Sequence, residues 1–218
     1  MNNMVYLYYI AQILSLLLCF YVFEMTKSVV STLQGDPTPK QHKMLTLNIF
    51  RYFEPIGFLL GFFFGYGWGQ PAPVASRYYK DRKSGAFITY TAPIIVSVIL
   101  AVVFDIIGKL VLKGFGQAFY GTAESVGFGT MGIIFLYSLI RQISETFLRL
   151  AVFNLIPIPP MCGSEILKCF LSPNAAFKYG QNTAILQMVF LMLWFFGMIT
   201  PNLDMAVNAL GNVLFALF

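Results

Sequence analysis

Long stretches without a single charged residue constrain this chain more than any other feature. A helix needs about 20 apolar residues to cross the hydrocarbon core of a bilayer. Several charge-free runs reach or approach that length, at residues 1–23, 55–76, 84–104, 125–140, 179–203 and 205–218. We therefore predict an all-α integral membrane protein with five to six transmembrane helices, organised as a single membrane-embedded domain over residues 1–218.

The composition excludes several other classes of protein. Only 11% of the 218 residues are charged and 58% are hydrophobic, whereas a soluble domain carries about 25% charged residues. The apolar content also excludes a disordered chain, and three cysteines do not make a disulfide framework. The basic residues behind the net charge of +5 are scattered between apolar runs, which disfavours nucleic-acid binding. We expect membrane lipid as a partner and a multi-pass location in a bacterial cell membrane.

The polar segment after the first predicted helix has a different character. Gly35 and Pro37 indicate turns, and alternating residues 44–48 are typical of a short strand, so a β-hairpin is predicted there. The next run, 55–70, is apolar but rich in glycine and either spans the membrane or re-enters it. Basic residues flank this run on both sides. Because basic loops prefer the cytoplasm, the run must turn back if both loops are cytoplasmic.

An ordered set of motifs resembles the site-2 protease family of intramembrane zinc metalloproteases (peptidase M50-like). Residues 23–27 (FEMTK) stand at the end of the first helix, in the place of the family's His-Glu-x-x-His. Thr91-Ala-Pro93 is similar to its Ala-Gly-Pro-x-x-Asn. Residues 153–163 (FNLIPIPPMCG) are similar to its Asn-x-x-Pro and Leu-Asp-Gly motifs. The order and spacing of these pieces are specific, although no single piece is.

This resemblance implies intramembrane proteolysis at a zinc ion held by two histidines and an aspartate, with the glutamate as general base. The chain departs from the family at all three ligand positions, which are occupied by Phe23, Lys27 and Cys162. Only Glu24 is kept, and we expect it to be inactive there. The resemblance also assigns cleft-lining residues, which are Asn154, Pro157, Pro159, Pro160 and Gly163. We predict a pseudoenzyme without a metal cofactor.

Two alternatives concern the charged and sulfur-containing side chains near the first motif. Glu24 and Lys27 are three residues apart, so they can form an ion pair on one helix, and pairing lowers the cost of burying a charge in a membrane. Alternatively, Cys19, Cys162 and Glu24 could gather a soft metal. Further along, Arg141, Glu145 and Arg149 share one helical stripe, which is either an intrahelical ion ladder or a polar groove that binds a partner.

Three functions follow from these patterns. The first is a scaffold or regulator that binds a transmembrane helix or peptide of another membrane protein without cleaving it. The second is an active intramembrane metalloprotease with an atypical metal site. The third is a small membrane transporter, suggested by the intramembrane charges, although the chain lacks the repeated halves that many transporters have.

Overall fold

The computed structural model of the protein describes residues 2–115 and 128–216, and within those residues much of each charge-free run is helical. Within those ranges the regular elements are helices, as predicted, and none is a strand. Short 3₁₀ turns lie at Ile49–Tyr52 and Ser76–Tyr78. The α-helices are α1 Asn2–Leu33, α2 Thr38–Gln41, α3 Pro55–Phe64, α4 Arg82–Phe115, α5 Phe128–Asn154, α6 Cys162–Phe170, α7 Pro173–Gln181, α8 Thr183–Phe195 and α9 Thr200–Phe215.

Among the described helices, two are long and apolar enough to cross a membrane, at Met4–Leu33 and Arg82–Phe115. Helices α8 and α9 would add a third span if they act as one, but they meet at an angle of 85°. The prediction of five to six spans is therefore not supported. Some apolar runs fold into helices too short to cross the bilayer, and α5 carries three charges in its second half. The start of the run 125–140 lies outside the described residues.

Residues 55–70 run alongside α1 and then turn back. Helix α3 has only 10 residues and stops at Gly65, whose φ of 77° is left-handed. The chain then runs back beside α3, and the Gln70 N–H donates to the Tyr52 carbonyl at 2.8 Å. This geometry matches the re-entrant alternative, with the two basic loops at the same end of the bundle. We call residues 66–75, which run back from this turn, the returning segment.

The predicted β-hairpin at residues 44–48 is wrong, because no strand forms there. Local side-chain hydrogen bonds hold turns in its place. The Thr46 hydroxyl accepts from the Asn48 N–H at 3.2 Å, and the Asn48 side chain accepts from the Phe50 N–H at 3.1 Å. Such bonds satisfy the backbone groups that a ladder would use, and they compete with strand pairing.

Helices α1, α4 and α5 pack against one another around the main apolar core. On α4 the Lys109 Nζ lies 3.0 Å from the carboxylate of the buried Asp105, four residues earlier. The stripe on α5 is more than an intrahelical ladder. Arg141 pairs with Asp105 on α4, and the Arg149 guanidinium lies 3.9 Å from Asp204 on α9. These charges therefore join neighbouring helices.

Candidate functional site

One stripe of α1 faces the interior at the family's motif position. Cys19, Phe23 and Lys27 follow one another at intervals of four residues, which places them on one helical face. All three residues are buried, with exposures of 0%, 2% and 4%. Phe23 belongs to the main apolar core, as do Cys19 and Cys162. The first ligand position is thus filled by an aromatic side chain that is packed as core.

Glu24 is held on two sides. The Lys27 Nζ lies 2.6 Å from its Oε2, and the two side chains are 5% and 6% exposed, respectively. The backbone N–H of Ala72, in the returning segment, donates to the same oxygen at 2.8 Å. The predicted ion pair is therefore present, and a backbone donor reinforces it. A buried pair with an added hydrogen bond is the arrangement that offsets the desolvation of both charges.

Asn154 fixes the Cys162 end of the site. Its Oδ1 accepts from the Cys162 N–H at 3.3 Å, and its Nδ2 donates to the Leu150 carbonyl at 3.0 Å. Gly163 then brings α6 against the end of α5, where an added Cβ would overlap the Leu155 carbonyl oxygen. Cys162 consequently lies within electrostatic reach of Lys27 and Glu24. The fold thus brings together the motif regions 23–27 and 153–163, which are far apart in the sequence.

A cavity of about 380 Å³ adjoins this site. The returning segment forms one wall through Trp68, Gln70 and Pro71, one residue before the backbone donor to Glu24. Opposite them are Pro159, Pro160 and Met161, immediately before Cys162, with Glu54 and α8 completing the lining. Pro159 and Pro160 therefore lie at the wall of this cavity. Pro157 has another contact, because its carbonyl accepts from the Tyr179 hydroxyl at 2.6 Å.

Asp36 holds the returning segment against α1, a role that our sequence interpretation missed. Its carboxylate accepts from the Ser31 hydroxyl at 2.8 Å, the Thr38 N–H at 2.9 Å and the Ala75 N–H at 2.7 Å. Burial alone would raise the pKa of Asp36, but these hydrogen bonds outweigh it and leave the pKa below its ordinary value. The Asp-Pro-Thr-Pro run indicated only a turn.

Replacing Asp36 with asparagine should destabilise the protein by about 1.5–3 kcal/mol at neutral pH, because the bonds to the charged form are lost. The ionised form is the bonded one, so its stabilisation is present above the unfolded pKa of about 3.9. It is lost as the pH falls through the lower folded pKa. Detergent unfolding at pH 7 and in acid measures the effect. The difference in the free energy of unfolding between wild type and variant should be smaller in acid. Equal stability at pH 7 would contradict this role.

Comparison with known proteins gives one informative match. The chain is 31% identical over 183 residues to "Putative zinc metalloprotease YwhC" of Bacillus subtilis (strain 168), an alignment that covers 84% of this chain and 78% of the relative. No family model matches the chain. No solved structure matches it either.

The relative's name contradicts our prediction that no metal cofactor is used, because it points to zinc. The side chains at the three motif positions of this chain do not fit that ion in the arrangement described above. A catalytic zinc takes three protein ligands, whereas here the positions hold a phenyl ring, an ammonium bound to Glu24, and one thiol. Within residues 2–115 and 128–216, no three His, Cys, Asp or Glu side chains come close enough to hold a metal.

Proposed function

Because this chain belongs to the site-2 protease family of membrane metalloproteases, we propose that it is a catalytically inactive member that binds polypeptide without cleaving it. The observation that carries the proposal is the state of Glu24. Its carboxylate is bonded to the Lys27 ammonium at 2.6 Å and to the Ala72 N–H at 2.8 Å.

Those two contacts oppose catalysis by Glu24. A general base must be within hydrogen-bond reach of the proton that it removes, and its lone pairs must be free to accept that proton. Both contacts are made to Oε2, so that oxygen is not free to accept a proton. Lys27 itself stands at one of the family's zinc-ligand positions. The same side chain therefore engages the general base and replaces a zinc ligand.

The cavity beside the site supports the binding half of the proposal. Its volume of about 380 Å³ lies in the range of ligand clefts. Its wall at Trp68, Gln70 and Pro71 is chain that belongs to no helix or sheet in the described residues. Backbone outside regular structure at the rim of a cleft can pair with an unwound peptide, while neighbouring pockets receive alternate side chains. We propose a membrane-protein segment as the occupant.

A second candidate, an active metalloprotease with an atypical metal site, is favoured by the relative's name. It requires Lys27 to leave Glu24, and it requires ligands beyond Cys162. It therefore predicts cleavage that depends on Glu24, whereas the first candidate predicts none.

Photocrosslinking tests the proposal directly. A photoreactive amino acid at position 187 would be placed in the full chain, reconstituted with single-pass membrane proteins, because Gln187 lines the cavity and is partly exposed. The matched control carries the same amino acid at position 185, since Ile185 is 63% exposed and is not among the cavity-lining residues. We expect specific crosslinks at 187 to an intact polypeptide. No crosslink at 187 above that at 185, or recovery of a fragment cut near the crosslink, would overturn the proposal.

A further inference from the structure

A second groove lies away from the Glu24 site, between the first turns of α4 and the end of α6. It has a volume of about 370 Å³ and is lined by Lys83, Ser84, Phe87, Ile88, Cys169 and Phe170. The rings of Phe87 and Phe170 meet edge to face, with centroids 5.7 Å apart. Phe87, Ile88 and Phe170 are 37%, 46% and 72% exposed. The groove is thus apolar along its walls and cationic at one end.

The cationic end belongs to a cluster of exposed basic residues at the start of a membrane span. Arg77, Lys80, Arg82 and Lys83 lie within seven positions. None of the four forms an ion pair with a residue that the structure describes. Arg77 stacks over the Tyr78 ring instead, at 4.8 Å from its centroid. The cluster is therefore left with uncompensated positive charge.

The nearby carboxylates are already engaged. Asp81 accepts from the Lys83 N–H at 2.9 Å and from the Ser84 N–H at 3.2 Å, so it caps the first turn of α4. On α6, Glu165 pairs with Lys168 at 2.6 Å. The positive charge at the mouth of the groove is consequently complementary to an anion. A small anion without an apolar chain would leave the exposed aromatic walls uncovered.

We propose that this groove binds an anionic phospholipid, with the phosphate at Arg82 and Lys83 and an acyl chain along Phe87, Ile88 and Phe170. The position at the first turns of α4 places the basic residues at headgroup level and the aromatic walls below them. Four basic residues directly before a span are a signature of anionic-lipid recognition. The adjoining apolar groove turns that general attraction into a defined site.

Lipid photolabelling tests the site. The full chain is reconstituted in vesicles of equal parts phosphatidylcholine and phosphatidylglycerol, with the photoreactive acyl chain carried by one lipid or the other. We expect phosphatidylglycerol to label the peptides that contain Phe87 and Phe170 more strongly than phosphatidylcholine does. Replacing both Arg82 and Lys83 with glutamine should lower the phosphatidylglycerol labelling by about tenfold.

The control variant replaces Lys40 and Lys43 with glutamine, which removes the same charge from two exposed positions that do not line the groove. It should label like the wild type. Equal labelling by the two lipids, or labelling unchanged in the Arg82 and Lys83 variant, would overturn the proposal. Crosslinks from the groove to a polypeptide instead of lipid would overturn it as well. None of these readouts depends on whether the Glu24 site binds or cleaves peptides.

Discussion

Replacing Lys27 with methionine is expected to destabilise the protein by about 3–5 kcal/mol, because it leaves an uncompensated carboxylate in the interior. Glu24 and Lys27 are both almost fully buried and lie 2.6 Å apart. Methionine keeps much of the lysine stem's volume, so the loss reports the charge and not a cavity. Unfolding in mixed micelles with increasing denaturing detergent measures the change.

The matched controls form a double-mutant cycle. Glu24→Gln combined with Lys27→Met removes both charges, while the amide oxygen of glutamine can still accept from the Ala72 N–H. Replacing both members of a buried pair is far less costly than removing one. The double variant should therefore be clearly more stable than the sum of the single changes predicts. Additive effects would mean that the two side chains do not interact in the folded protein.

Gly67→Ala is expected to cost about 3 kcal/mol, at the upper end of the range for overpacking. An alanine Cβ at this position would overlap the Gly57 carbonyl oxygen and lie 2.8 Å from the Gly61 nitrogen. Both neighbours are backbone atoms of α3, so relief requires the returning segment to separate from that helix. Detergent unfolding would measure the loss of stability, and faster proteolysis between residues 65 and 75 would locate it.

Gly180→Ala is the control for that change. Nothing lies within 4 Å of a Cβ added to Gly180, which sits inside α7. Alanine there should be neutral or stabilising by up to about 1 kcal/mol, because it is the better helix former. If Gly67→Ala and Gly180→Ala have the same stability, the returning segment does not pack closely against α3.

Local spacing explains what could be predicted from the sequence. Glu24 and Lys27 are three residues apart, and Asp105 and Lys109 are four apart, so each pair could be foreseen from helix geometry alone. The burial of the stripe through Cys19, Phe23 and Lys27 follows from the same periodicity. These features depend on the helix to which they belong and not on the rest of the chain.

The features that could not be predicted depend on contacts between distant residues. Ala72 reaches Glu24 across 48 positions, and Ala75 reaches Asp36 across 39. Such long-range hydrogen bonds, together with close glycine contacts, hold the chain that turns back at Gly65. Hydropathy encodes neither of them. Hydropathy also marks apolar runs without marking bends, which is why it indicates more spans than the helices provide. That residues 1–218 form a single domain stays a prediction.

Cleavage by the wild-type chain, with zinc supplied, is the most direct test of an inactive site around Glu24. The full chain in lipid vesicles would be given a single-pass membrane protein that crosslinks in the cleft, and the products would be followed by mass. We expect intact polypeptide from the wild type and from Glu24→Gln alike. A cut product that the wild type makes and Glu24→Gln does not would contradict this expectation.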